Sequence, residues 1–265
     1  MFGDPSLDSL AAYLTDVAPG LLLVVAALAL VPARMVAARV LVAVLGFVLV
    51  RDTMTRHELW TFGTVGERST LWLRFTSDPI LLVSMAVLSL LLVGALVAVF
   101  RQRSRGMRWA ADRAWLSVPV GLLGAGVIVL PMALWYGSLG GLSAGLGLPE
   151  VPLDARGGAV AAGILVPLLV FALCGNLLEE VLFRGLLQSE LEHHTSVVRA
   201  ALSSAVLFAA CHVFLASTVT QVGWPLLAFV LFEGLVCAVI AVRFGVLGAT
   251  VAHGGALFLL ASGLV

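Results

Sequence analysis

The sequence has no lysine and few charged residues of any kind. Charged residues make up only 11% of the 265 positions, whereas about 25% of the residues of a typical soluble domain are charged. Hydrophobic residues make up 61%, and the mean hydropathy is +1.12. This composition excludes an ordinary soluble domain. It indicates an integral membrane protein whose main surroundings are the lipid bilayer.

The sequence also lacks an excess of charge of either sign, and it has few cysteines. The 15 arginines balance 15 acidic residues, so the formal net charge is zero. This balance argues against nucleic acid as a partner. The three cysteines, Cys174, Cys211 and Cys237, all fall inside apolar runs. An odd number of cysteines inside helices predicts packing residues, not a disulfide framework.

The apolar runs are about 20 residues long, the length that a helix needs to cross the hydrocarbon core of a bilayer. We therefore predict an all-α fold, a polytopic transmembrane helical bundle of about eight spans. The predicted spans are residues 10–31, 35–50, 80–100, 115–137, 158–182, 198–219, 223–243 and 245–264.

The placement of the arginines predicts the orientation of these spans. Five arginines lie between residues 101 and 113, in the link between the third and fourth spans. Because cytoplasmic loops are enriched in basic residues, this link is predicted to lie inside. The segment 52–78, in which acidic residues dilute the arginines, and both termini are then predicted to lie outside. Residues 71–75 are expected to lie in the membrane interface.

The chain divides by the chemistry of its spans. The first four spans have essentially no ionisable residue at mid-membrane depth, whereas the last four have several. We therefore predict an N-terminal scaffold of transmembrane helices over residues 1–150. Residues 151–265 are predicted to form the functional helical core.

The fifth span ends in two adjacent carboxylates, Glu179 and Glu180. A charged group costs about 2.5–3.5 kcal/mol at the centre of a membrane helix on insertion scales, so such a pair indicates a functional site. Glu180 and Arg184 are four residues apart and can pair on one helix face. Glu179 lies about 100° away around the helix and is left free to act as a base. Asn176 is one turn earlier, within reach of either carboxylate.

Other interpretations of these residues stay open on sequence alone. Glu179, Glu180 and Arg184 could form an interfacial charge cluster that caps a span. His212 and His253, each inside a later span, could be core histidines that bond to neighbouring helices, and Glu233 could be a protonated carboxyl or a partner for a histidine.

Depth arithmetic connects the carboxylates to His212. This histidine lies about 20 Å into the sixth span at 1.5 Å per residue. The carboxylates can meet it only if the fifth helix continues past Arg184 towards Glu192. Buried ionisable groups face water-filled cavities, so the sequence predicts such a cavity, open to the cytoplasm.

A carboxylate and two imidazoles that converge in a membrane cavity suit hydrolysis. The glutamate can take a proton from water, one histidine can orient that water, and the other can stabilise the oxyanion. The same three side chains, Glu179, His212 and His253, form an acceptable ligand set for Zn²⁺. The sequence has no H-E-x-x-H motif, which excludes a zincin helix.

Three motifs on separate helices resemble one known family. The sequences Glu179-Glu180-x-x-x-Arg184 and Phe208-x-x-x-His212, followed by His253, are similar to the motifs of the CPBP family of intramembrane endopeptidases. This family includes type II CAAX prenyl endopeptidases and bacterial Abi or bacteriocin-immunity proteins. The resemblance covers about residues 165–260.

The resemblance implies a protease of the glutamic type, without a metal or other cofactor, in preference to a zinc enzyme. Glu179 would activate water, His212 would be its partner, and His253 would bind the oxyanion. Glu180 and Arg184 would support the site. The implied substrate is a membrane-associated peptide or protein that is prenylated, bacteriocin-like or tail-anchored. The lack of lysine and of targeting signals suggests a prokaryotic plasma membrane.

One residue departs from the family pattern, in which the third motif usually reads His-x-x-x-Asn. Leu257 occupies the asparagine position here, and Asn176 is the candidate to replace the missing amide. This departure favours an alternative, a non-catalytic immunity or binding protein that uses the same cavity. A third possibility is a transporter in which Glu233 and the histidines relay protons. The sequence shows no repeat of broken helices typical of transporters.

Overall fold

The computed structural model describes residues 7–65, 70–147 and 150–265. The described chain is mainly helical, which confirms the predicted all-α class. The α-helices are α1 (Leu7–Leu30), α2 (Val36–Arg56), α3 (Pro79–Val99), α4 (Arg101–Ser104), α5 (Ser117–Trp135), α6 (Gly141–Gly145), α7 (Leu165–Glu180), α8 (Ser189–Glu192), α9 (Val197–Ala210) and α10 (Trp224–Ser262). Single 3₁₀ turns are formed by Ala114–Leu116, Asp154–Arg156 and Ala162–Ile164.

Six helical stretches in the described chain are long and apolar enough to cross a membrane. The expectation of about eight spans is therefore too high. The helix α2 does not qualify because it contains Arg39, Arg51 and Asp52. The seventh and eighth predicted spans fall in the single stretch α10, whose two helical parts meet at the non-helical residue Gly245. Large apolar side chains such as Leu22 and Leu23 of α1 are exposed, as expected for surfaces that face lipid.

The helix α10 consists of two arms that fold back on each other. A straight helix of 39 residues would be about 58 Å long and would separate Glu233 from His253 by about 30 Å. Instead, His253 Nε2 lies 3.5 Å from Glu233 Oε2. The first arm is residues 224–244, the second arm is residues 246–262, and the two run antiparallel.

The reversal between the arms takes place at Gly245. Its φ of +71° and ψ of −175° are non-helical, and a side chain strongly disfavours that φ. A Cβ atom at this position would lie 2.6 Å from the backbone nitrogen of Ala110. The backbone N–H groups of Val246 and Leu247 donate to the carbonyls of Arg108 and Trp109. The arginine-rich link thus caps the second arm.

An antiparallel β-hairpin follows α2, where the sequence had predicted only an extramembrane segment. Its strands are β1 (Trp60–Val65) and β2 (Thr70–Phe75), with Trp60 opposite Phe75. The two rings stack with their centroids 5.9 Å apart. Strands of this length give a weak sequence signal beside the long apolar helices.

The hairpin is fastened to the end of the second arm. Arg74 of β2 donates to the carbonyl oxygen of Leu260 at 2.9 Å and to that of Gly158 at 2.6 Å. The hydroxyl of Tyr136, at the end of α5, donates to the carbonyl oxygen of Leu71. The second arm therefore runs between two ends of the bundle. We call them the arginine-rich end, at Arg108, and the hairpin end, at Arg74, about 24 Å apart by helical rise.

The helix that carries the two carboxylates continues past them. After Glu180, residues Val181–Gln188 form a π-helical segment that leads directly into α8, so the chain stays helical to Glu192 as the depth arithmetic predicted. Segments of π-helix often occur at functional sites. All of Val181–Gln188 is buried. Ser204 of α9 donates to the carbonyl oxygen of Phe183 at 3.0 Å.

Candidate active site

A small cavity lies in the bundle where α2, α7, α9 and both arms of α10 approach one another. Its volume of about 50 Å³ is room for a few water molecules. The ionisable residues of the described chain that line it are Arg51, Tyr136, Glu179, His212, Glu233 and His253. The structure thus brings together the predicted base and both predicted histidines, which come from three different helices.

The remaining wall of the cavity is apolar and leads to the hairpin end. Trp60, Phe62 and Trp72 of the hairpin line it. The sequence predicted that the hairpin segment lies outside and that the cavity opens to the cytoplasm. Because the cavity extends towards the hairpin, these two expectations are incompatible. The expectation of a cytoplasmic opening has to be corrected if the orientation from the arginines holds.

Glu180 is fully buried and does not line the cavity as Glu179 does. Its Oε2 lies 3.2 Å from Nε of Arg184, so the predicted pair between these residues is present. Its Oε1 accepts a hydrogen bond from Nδ1 of His253 at 2.8 Å. The guanidinium of Arg184 also donates to the carbonyl oxygen of Gly234 at 2.9 Å. This network ties the π-helical segment to both arms of α10.

His253 lies between two carboxylates. Nδ1 faces Glu180, and Nε2 lies 3.5 Å from Oε2 of Glu233. An imidazolium meets both carboxylates as a donor. Glu233 is thus a partner of a histidine, which was one of the interpretations that the sequence left open. Gly254 lets the second arm approach α7, since a Cβ there would lie 2.9 Å from the carbonyl oxygen of Ala172.

His212 is oriented by its own helix. Its Nδ1 donates to the carbonyl oxygen of Phe208 at 2.8 Å, which leaves Nε2 as the acceptor of a neutral imidazole. The ring of Phe208 lies 4.7 Å from that of His212 and 5.7 Å from that of His253, measured between centroids. The guanidinium of Arg184 lies 4.6 Å from the same ring. Phe208 therefore positions both histidines.

The surroundings of Glu179 differ from those of a carboxylate held in an ion pair. It lines the cavity, and its Oε2 is buried without a hydrogen-bond partner among the described residues. Neighbouring positions on the helix thus differ in their surroundings. Glu180 meets an arginine and a histidine, whereas Glu179 has an oxygen available for a small molecule in the cavity.

Asn176 is not among the described residues that line the cavity. Its Nδ2 donates to the carbonyl oxygen of Ala172 in the same helix at 2.6 Å. Leu257, one turn after His253, does line the cavity. The side-chain amide of Asn176 therefore does not reach the cavity wall at Leu257, the position where the family pattern has an asparagine.

Arg51 is a residue of the site that the sequence did not predict, and it directly precedes the segment 52–78 that was expected to lie outside. Arg51 is only 4% exposed and pairs with Asp52 at 2.7 Å. Its Nη2 donates to the carbonyl oxygen of Cys211 at 2.7 Å. The available signal was an arginine and an aspartate side by side at the end of an apolar run. The same pattern is typical of surface charges, so it did not single out Arg51.

The predicted zinc ligands are not the set that the structure brings closest. Among the described residues, the group whose possible ligand atoms lie within 4.8 Å of one another is Glu180, Cys237 and His253. Both oxygens of Glu180 already face donors, one on Arg184 and one on His253. A guanidinium beside the group opposes a cation there. These residues do not fit a divalent metal.

At the hairpin end, Arg74, Tyr136 and Arg156 contact residues that form the wall of the cavity. Burial raises the pKa of Tyr136 to about 12, so its hydroxyl stays a donor to Leu71. Burial lowers the pKa of Arg74, and the nearby charge of Arg156 adds to this effect. Arg156 lies 4.2 Å above the ring of Tyr136 and donates to the carbonyl oxygen of Val265 at 2.7 Å.

Comparison with known proteins gives a match for the segment that contains this site. Residues 161–259 match the family model described as "Type II CAAX prenyl endopeptidase Rce1-like". The match includes Glu179, His212 and His253, and it confirms the resemblance that the motifs indicated. At the family level it supports a CAAX-type intramembrane protease. No curated protein and no solved structure matches the chain.

Proposed function

We propose that the protein is an intramembrane endopeptidase in which water activated by Glu179 hydrolyses a peptide bond of a membrane-associated substrate. One observation carries the proposal. Glu179, with an oxygen that has no partner in the described chain, lines the same small cavity as His212 and His253. The family match supports a protease as the class of enzyme.

In the proposed reaction, the carboxylate of Glu179 takes a proton from a water molecule in the cavity, and Nε2 of His212 accepts the hydrogen bond that orients it. The oxygen of that water attacks the carbonyl carbon of the peptide bond. The negative charge that develops on the carbonyl oxygen is stabilised by donors in the cavity, including Nε2 of His253. The carbon–nitrogen bond then breaks, and the proton held by Glu179 passes to the departing amine.

Glu180 and Arg184 act as positioning residues in this proposal. They fix His253 from the side opposite the cavity, through the 2.8 Å hydrogen bond of Glu180 to Nδ1. The contact of Nε2 with Glu233 is longer, at 3.5 Å, so this nitrogen can turn to the substrate oxygen. The proposed mechanism requires no metal. It places the catalytic core in residues 151–265 and the scaffold in residues 1–150.

The cavity's surroundings support an apolar, membrane-associated substrate. Aromatic side chains of the hairpin, with Leu257 and Leu260, form the wall beyond the ionisable residues. Prenylated, bacteriocin-like and tail-anchored peptides are the candidate substrates. We propose a prokaryotic plasma membrane as the location, in agreement with the all-arginine basic composition.

One observation favours a second candidate, a non-catalytic immunity or binding protein. Leu257 puts an apolar side chain on the cavity wall one turn from His253, where a hydrogen-bond donor would help an oxyanion. Such a protein would bind a membrane peptide in the cavity and leave it intact.

The experiment that tests the proposal is cleavage of an internally quenched farnesylated peptide by the purified protein in liposomes. The same peptide without the prenyl group and a tail-anchored model peptide serve as further probes. We expect Glu179→Gln to lower kcat by about 10²- to 10⁴-fold, the range for loss of a general base. The variant should melt at the wild-type temperature.

The matched control is Glu58→Gln, which changes an exposed carboxylate at the hairpin end and should retain full activity. Cleavage by Glu179→Gln at the wild-type rate would contradict the proposal. Binding of these peptides without cleavage by the wild-type protein, unaffected by Glu179→Gln, would favour the non-catalytic candidate.

A further inference from the structure

The cavity has a shortage of free donors for a developing oxyanion. Removal of one such donor typically lowers the rate by about 10²- to 10³-fold, so hydrolysis depends on them. His253 can supply at most one donor, Nε2, because its Nδ1 is bonded to Glu180 at 2.8 Å, and Glu233 lies 3.5 Å from Nε2 and competes for it. Nδ1 of His212 already donates a hydrogen bond to the carbonyl oxygen of Phe208. Leu257, on the same wall, offers no polar atom.

Two donors on the cavity wall have no partner in the described ranges, the indole Nε1 of Trp60 and Nη1 of Arg51, and of these only Arg51 carries a positive charge. Its Nε donates to Oδ1 of Asp52 at 2.7 Å, and its Nη2 donates to the carbonyl oxygen of Cys211 at 2.7 Å. Its Nη1 is buried and has no hydrogen-bond partner in the described ranges. A buried charged donor without a partner is costly. Since Arg51 lines the cavity, an oxygen bound there would satisfy it.

The guanidinium is held in place from several sides. The bond to Cys211 attaches it to the residue before His212. Its carbon atom lies 5.2 Å from the ring centroid of Phe47, one turn earlier in α2. Phe47 in turn packs edge-on against Phe183 of the π-helical segment, 5.7 Å away. A donor fixed in this way needs little rearrangement when charge develops, which is the condition for effective transition-state stabilisation.

We propose that Arg51 is a catalytic residue whose Nη1 binds the carbonyl oxygen of the scissile peptide bond as that oxygen becomes negative. The inference rests on the proposed function, because it assigns a role in the same hydrolysis. It brings α2 of the N-terminal scaffold into the active site. Arg51 also lies outside the segment, residues 161–259, that matches the family model.

The first test compares Arg51→Ala with Arg56→Ala in cleavage of the farnesylated quenched peptide. Arg56 is the matched control, because its side chain is 78% exposed and pairs with Asp16 at 3.7 Å. We expect Arg51→Ala to lower kcat by about 10²- to 10³-fold with little change in KM. The control should behave as wild type.

Rescue separates this role from a purely structural one. Leu257 lies four residues after His253 and lines the same cavity, so Leu257→Asn supplies an amide donor to it. We expect Leu257→Asn added to Arg51→Ala to restore kcat at least tenfold. Free guanidinium ion at millimolar concentration should also raise the rate of Arg51→Ala and leave that of Arg56→Ala unchanged.

Three results would overturn the inference. The first is Arg51→Ala with wild-type kcat. The second is a folded Arg51→Ala that neither guanidinium ion nor Leu257→Asn restores. If Arg51→Ala does not fold, Arg51→Met replaces it, because methionine fills a similar volume without a donor, and a folded Arg51→Met with wild-type kcat and no response to guanidinium is the third. Full activity of Glu179→Gln would instead overturn the proposed function, so the two failures are distinguishable.

Discussion

Two adjacent residues of the same type have different surroundings in this site. Glu180 is fully buried and contacts Arg184 and His253, whereas Glu179 lines the cavity and keeps one oxygen without a partner among the described residues. The cause is the helix geometry, which turns neighbouring side chains by about 100°. A structural and a proposed catalytic carboxylate can therefore occupy consecutive positions.

This difference predicts different effects of the same substitution on stability at the two positions. Removal of one partner from a buried ion pair costs about 3–5 kcal/mol, so Glu180→Gln should lower the melting temperature markedly as well as the activity. Glu179→Gln should lower the activity alone. The control is Asp16→Asn, which alters surface contacts with Arg56 at 3.7 Å and with His57 at 3.1 Å, since exposed pairs of this kind contribute only about 0–1 kcal/mol each. Thermal unfolding in detergent measures all three, and a wild-type melting temperature for Glu180→Gln would contradict the ion-pair network.

The residues that the sequence could predict are those whose position follows from helical arithmetic. Depth along two helices was enough to bring Glu179 next to His212, and spacing was enough to pair Glu180 with Arg184. The direction of Asn176 and the burial of Arg51 depend on how helices rotate and pack. Nothing local distinguishes an arginine that reaches Cys211 from an arginine at a membrane surface.

At the scale of elements, hydropathy locates the long helices but not the breaks between them. The sequence separated the last two spans near residue 244, and the structure places the reversal at Gly245, where the chain needs a positive φ. The hairpin was missed because each of its strands has only 6 residues. Its Trp60, Phe62 and Trp72 line the cavity, so short elements that the sequence hardly signals form part of the site.

The reversal at Gly245 predicts a strong effect of Gly245→Ala. A positive φ with ψ near 180° is essentially restricted to glycine and costs another residue about 1–3 kcal/mol, and the added Cβ would also lie 2.6 Å from the nitrogen of Ala110. We expect a lower melting temperature and loss of peptide cleavage, because the two arms would no longer align Glu233 with His253.

Gly126→Ala is the control. No atom lies within 4 Å of that added Cβ in the described chain, and the helix gains about 0.5–1 kcal/mol. Equal melting temperatures for the two variants would argue against a required turn at Gly245.

At the scale of the whole molecule, the cavity and the arginines lie towards different ends of the bundle. The second arm of α10 is capped by Arg108 and Trp109 at the arginine-rich end, and it meets Arg74 at the hairpin end. The cavity extends from the ionisable residues to the hairpin. If the arginine-rich end is cytoplasmic, the substrate reaches the site from the outer side of the membrane.

Labelling of single cysteines in intact cells tests this orientation. Cys174, Cys211 and Cys237 are first replaced by alanine. Asp154→Cys then marks the hairpin end and Gln102→Cys the arginine-rich end, both at exposed positions. We expect a membrane-impermeant maleimide to label Asp154→Cys in intact cells and Gln102→Cys only after lysis, because arginine-rich loops stay in the cytoplasm. The reverse pattern would place the hairpin end inside. The cavity would then take its substrate from the cytoplasm, and the arginines would no longer indicate the orientation of this bundle.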